Sequence, residues 1–91
     1  MRFKNIVYTH TDVFFNDDKV AKFIADFDID AIRSSGMNVD DAINLVIEVV
    51  VQEGVIHRPF ISNQEDNTHI DTTDAEAEFI INKFKEILLG G

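Results

Sequence analysis

The chain has 91 residues, with 17 Asp and Glu against eight Lys and Arg, a formal net charge of −9. That imbalance argues against non-specific binding to nucleic acid or to an anionic membrane surface, and it suits a basic partner. Hydrophobic residues make up 45% of the chain, too many for a disordered acidic tail, and the absence of cysteine excludes disulfides, thiolate zinc sites and Cys nucleophiles.

The length fits one domain over residues 1–91. Met1–Asn16 carries charge and no continuous apolar core of a signal peptide. Leu45–Val51 is interrupted by Glu48 and is too short to span a bilayer. The expected location is therefore the cytoplasm. A domain of this size buries a limited fraction of its surface. A homodimer joined through apolar faces would relieve that limit.

Phe3–Thr9 reads as a strand, with Ile6, Val7 and Tyr8 as good strand formers. Val13, Phe14 and Phe15 follow among polar residues and read as a loop that plugs the core. From Asn16 or Asp17, which suit a cap, Val20, Phe23, Ile24 and Phe27 recur at i, i+3, i+4 and i+7. This spacing predicts a helix. Asp28–Asp30 interrupts it, Ala31–Arg33 begins another turn, and Ser34, Ser35 and Gly36 end that turn.

A second helix is predicted from Asn38, with Asp41 completing a capping-box arrangement. Its face is Val39, Ala42, Ile43, Val46, Ile47 and Val50, and Gly54 suits its C-terminal end. The β-branched content supports a competing hairpin, Leu45–Val51 with Val55–Ile61. The helix is preferred because it accounts for the cap and the glycine together. Pro59 makes Val55–Ile61 an edge strand or an extended loop. Ser62–Thr72 is polar and reads as exposed. Thr72 or Thr73 caps a last helix, with Asp74, Glu76 and Glu78 at its positive end. Its apolar stripe is Ala75, Phe79, Ile80, Phe84, Ile87 and Leu88, and Gly90 and Gly91 end it. The order predicts a helix-rich α+β domain, three or four helices with a small sheet of one to three short strands. A mostly α domain is the alternative.

Glu65, Asp66, Asp71, Asp74, Glu76 and Glu78 follow one another with no Lys or Arg between them. Such a run can imitate phosphate charge or dock an Arg-rich surface. Arg58-Pro59-Phe60 reads as a contact tip, and exposed Phe residues would anchor an interface beside the acids. Asp26, Asp28 and Asp30 alternate and would face one side of an extended segment, as a calcium site needs. The glycine and terminal Glu of an EF-hand loop are missing. His10, His57 and His69 show no helical ligand spacing. Ser34, Ser35 and Ser62 lie in no nucleophile motif, and no Gly-rich loop is present to cradle phosphate. No cofactor is expected.

The ending Leu88-Leu89-Gly90-Gly91 is similar to the di-glycine tail of the ubiquitin-like modifiers. That resemblance covers four residues and implies a β-grasp body with an extended tail leaving a strand. Here the two glycines follow a predicted helix. The expectation from the whole chain is a non-catalytic acidic regulator or inhibitor that docks a basic protein surface, including one that otherwise receives nucleic acid. A structural homodimer is one alternative. A small metal-dependent enzyme or calcium-responsive domain is the other.

Overall fold

The computed structural model describes residues 1–37 and 44–90, the last two by their backbone alone. Six antiparallel strands form one sheet: β1 (Phe3–Val13), β2 (Lys19–Phe27), β3 (Leu45–Gln52), β4 (Val55–Ile56), β5 (Phe60–Asn63) and β6 (His69–Asp71). Two helices accompany it among the described residues, α1 (Ile29–Ser34) after β2 and α2 (Asp74–Gly90) at the end. The strand order is β1-β2-β3-β5-β6, with β4 paired to the far end of β3. The helix-rich expectation, and its mostly α alternative, are thus corrected to a sheet-rich α+β fold.

The correction has a local cause in β2. In a strand, alternate residues share a face. Ala21 and Phe23 are buried on one side, continued by half-buried Ala25 and Phe27, while Ile24 points to the other and is 48% exposed. Two alanines in the inward set hid this alternation, and the larger residues left a helical spacing. Ala21 pairs with Val49 and Phe23 with Ile47, so the neighbouring strand completes the row.

The predicted second helix is overturned over Leu45–Gln52, where β3 alternates Leu45, Ile47 and Val49 inward. Its proposed cap, Asn38 with Asp41, lies outside the described residues, as do Val39, Asp40, Ala42 and Ile43. Gln52 pairs with Val55, leaving Glu53 and Gly54 as a two-residue turn with φ of 53° and 78°. Positive φ at both central residues is the type I′ hairpin condition. A left-handed glycine ends helices as well as making such turns, which is why Gly54 supported the wrong element. A side chain at Gly54 meets no neighbouring atom within 4 Å, so a substitution there is felt in the backbone alone. Gly54→Ala is expected to cost about 1–2 kcal/mol, read as a lower midpoint in a thermal melt.

At the first hairpin, Phe14 N–H donates to the Asp18 carbonyl and Asp17 N–H to that of Phe14. Val13, Phe14 and Phe15 do not plug the core; they project from this turn, and Phe15 is fully exposed. Asp28 caps α1 by accepting from the Ala31 amide at 3.2 Å. Ser62–Thr72 is not one exposed loop: Ser62, Asn63 and Thr72 are buried, and β6 lies within it.

The expected last helix is present. It lies across one face of the sheet, placing Ile80 and Phe84 in a single buried cluster with Phe3, Ile6, Phe23, Ile32, Ile47 and Ile61. At its edge the exposed Phe79 ring sits 6.3 Å from that of Phe3. Thr73 and Glu76 form a capping box: the Glu76 amide donates to Thr73 Oγ1 and the Thr73 amide to Glu76 Oε1.

Candidate functional site

The sheet has a second face, turned away from α2, and no described helix packs on it. Register defines its rows, because directly paired residues of an antiparallel sheet share a face. One row runs His10, Lys22, Glu48, Phe60, Asp71 across five strands. Beside it run Asp12, Val20 and Val50. On the other side Val7 pairs with Ile24, and Val46 pairs with Ser62, which pairs with His69. Lys4 and Asp26 close that end.

This face mixes aliphatic surface with acid. Val7 is 56% exposed and Ile24 48% exposed; Val20, Val46, Val50 and Phe60 are half-buried. Lys22 Nζ lies 3.6 Å from Asp12 and 3.8 Å from Glu48, and Gln64 Nε2 lies 3.4 Å from Glu48. Four carboxylates, Asp12, Asp26, Glu48 and Asp71, therefore stand against Lys4 and Lys22. The Phe60 ring stacks on His69 with centroids 4.7 Å apart and planes inclined by 35°.

The six acids of the C-terminal half do not form one patch. Glu65 and Asp66 occupy the turn between β5 and β6. Asn44 donates to Glu65 at 3.1 Å. The hydroxyl and amide of Thr68 donate to Asp66 and hold its carboxyl below the ordinary range. Asp74 and Glu78 lie in the first turns of α2, beyond the opposite end of that hairpin, whose strand β5 alone spans about 13 Å at roughly 3.3 Å per residue. Asp71 belongs to the open sheet face.

Glu76 is withdrawn from solvent, with 0% exposure. Its carboxylate accepts from the Arg2 amide at 2.9 Å and from Arg2 Nε and Nη2 at 3.1 and 2.7 Å. Arg2 also donates to Ser35 Oγ and to the Asp71 carbonyl. The pair therefore joins the start of β1, the end of α1, the end of β6 and the start of α2. Burial pushes the Glu76 carboxyl up. The hydrogen bonds from Arg2 and Thr73 and the Arg2 charge outweigh that and bring it from 4.5 down to about 2.

Arg58 is likewise engaged. Its guanidinium donates to the Thr72 carbonyl and to Asp74, both at 2.8 Å. Phe60 is half-buried within the sheet rather than at a loop tip. Asp26 lies on the sheet face, Asp28 caps α1 and Asp30 lies within α1. Among the described residues no three His, Asp or Glu side chains approach closely enough to hold a metal ion. No described helix is long and apolar enough to cross a membrane.

Sequence reasoning missed Val7, Val20, Ile24, Val46 and Val50 as surface residues. For the last four the signal available was the two-residue alternation in 19–27 and 45–52, which separates them from their buried neighbours; Val7 lies in β1, where register shifts on either side break the alternation. Comparison with known proteins adds no relative: no protein-family model, curated protein or solved structure matches this chain.

Proposed function

We propose that this protein is a non-catalytic binding module that docks a basic protein surface with the open face of its sheet. The observation that carries this reading is that face: an aliphatic surface of Val7, Val20, Ile24, Val46 and Val50, with Phe60 beside it, set among Asp12, Asp26, Glu48 and Asp71. The charged row of Lys22 and Glu48 divides this surface, with Val20 and Val50 on one side and Val7, Ile24 and Val46 on the other, and apolar surface set among charges is typical of interaction sites. The net charge of −9 makes a second copy repulsive at long range and a basic partner attractive. The proposal rests on this sheet face, not on a phosphate-like row of carboxylates in 65–78. It takes the cytoplasm as the site of action.

The test pairs two variants against basic cytoplasmic proteins in a surface-binding assay. Ile24→Lys is expected to speed dissociation and weaken binding at least about tenfold by spoiling the packed centre. The triple change Asp12→Asn, Asp26→Asn, Asp71→Asn is expected to slow association several-fold at low salt and to flatten its salt dependence. Unaltered rates in both variants would exclude this face. Light scattering that shows a dimer, converted to monomer by Ile24→Lys, would assign the face to a second copy instead.

A further inference from the structure

The row from His10 to Asp71 holds an arrangement that the aliphatic surface beside it does not explain. Phe60 pairs directly with Glu48 on one side and with Asp71 on the other. Its side chain is half-buried, so part of it stays open, and His69 packs on the ring with centroids 4.7 Å apart. An aromatic pair is thus bracketed by two carboxylates on the face that carries no described helix.

Neither carboxylate is fully engaged. The Glu48 side chain is only 13% exposed, yet its polar neighbours meet one oxygen: Lys22 Nζ at 3.8 Å and Gln64 Nε2 at 3.4 Å both reach Oε1. Oε2 accepts no hydrogen bond among the described residues. The Asp71 carboxylate has no partner among them either; only the Asp71 carbonyl is used, by Arg2. The nearby cations are held by other groups. Arg2 is paired with Glu76 and Arg58 with Asp74, and Lys22 is shared by Asp12 and Glu48. Asp12, Glu48 and Asp71 therefore stand against Lys22 alone, three carboxylates to one cation, with the histidines counted neutral as in the chain total.

We infer that this seat takes an arginine side chain of the basic partner, its guanidinium lying against the aromatic pair and donating to Glu48 and Asp71 together. The inference rests on the open sheet face being the docking surface. Neighbouring strands lie about 4.8 Å apart, so Glu48 and Asp71 stand roughly 10 Å from one another with Phe60 between them. A planar guanidinium stacks on an aromatic ring and carries N–H donors pointing to both sides in its plane. A lysine ammonium is a compact point charge and reaches one carboxylate at a time. A metal ion finds no set of three ligands here among the described residues. A second copy would bring the same acids face to face.

The probe is acetyl-Gly-Arg-Gly-amide, titrated at low salt into the ¹⁵N-labelled full chain and followed by NMR. The matching lysine peptide and the citrulline peptide, which keeps the planar shape without the charge, are the comparisons. The expected result is a saturable shift of the Glu48, Phe60, His69 and Asp71 amides, with the lysine peptide bound at least about threefold and the citrulline peptide at least about tenfold more weakly. Asp71→Asn is expected to weaken the arginine peptide by about threefold or more and to melt with the wild type, because that side chain is exposed and unpaired. Phe60→Leu is expected to bring arginine and lysine to equal affinity. Lysine or citrulline bound as tightly as arginine by the wild type would overturn the assignment. So would an unaltered arginine affinity in Asp71→Asn, or no saturable shift at these amides. Ile24 lies in another row, which separates this inference from the wider reading of the face. Failure of the arginine peptide, with Ile24→Lys still weakening partner binding, removes the seat alone. Arginine binding as expected, with partner rates unaltered in both variants of the sheet face, removes the docking surface and leaves the seat.

Discussion

Glu76→Ala is expected to destabilise the protein by about 3–5 kcal/mol, the range for removing one partner of a buried ion pair. Glu76 is fully buried, and Arg2, 19% exposed at its side chain, would lose its carboxylate in a largely dry setting. The loss also removes half of the α2 capping box and frees the Thr73 amide. A domain of this size shifts its melting temperature by roughly 4–8 °C per kcal/mol, so a fall of more than about 10 °C is expected. A double-mutant cycle with Arg2→Ala isolates the coupling. A coupling near zero would reduce the pair to an incidental surface contact.

The same group makes stability depend on pH. The Glu76 carboxyl is lower in the folded chain, about 2, than its ordinary 4.5. The unfolded chain therefore binds the proton more readily. The stabilisation is full above about pH 4.5 and is lost as pH falls toward 2. A gap of this size corresponds to about 3 kcal/mol. Chemical unfolding between pH 6 and pH 2 measures it. Glu76→Gln should show a shallower fall across that interval, and a wild-type slope in that variant would place the titration elsewhere.

Phe23→Ala is expected to cost about 3–5 kcal/mol, and Ile24→Ala less than about 1 kcal/mol. Phe23 is fully buried, pairs with Ile47, and meets the Tyr8 ring edge-on at 5.7 Å. Replacing it leaves a cavity that the surrounding sheet and helix cannot close. Ile24 is the next residue and lies on the opposite face, half open to solvent. A helix carrying Val20, Phe23, Ile24 and Phe27 on one stripe would make both changes costly. Denaturant midpoints of the two variants decide between the arrangements, and comparable losses would contradict the strand.

Local chemistry made some elements legible. The acids after Thr73 and the apolar spacing of 79–88 announced α2, because capping and burial on one stripe are properties of a single segment. The pattern Thr73-Asp74-Ala75-Glu76 also contained the capping box. Its glutamate read as an exposed docking residue because nothing within the helix reveals that Arg2, 74 positions away, closes over it. Phe60 and Asp71 were singled out from the sequence, and the sheet register paired them with each other and Phe60 with Glu48.

Composition determined the sign of the net charge and the adequacy of the apolar content, and local order determined the terminal helix, since each depends only on residue types or on short-range spacing. The choice between strand and helix for 19–27 and 45–52 was settled by tertiary structure. Their apolar residues satisfy both periods, and only pairing of β2 with β1 and β3, and of β3 with β5, determines which of them meet α2. That same pairing put Ile24 and Val46 outside and separated the six late carboxylates, because strand direction and register act between segments that are distant in the chain.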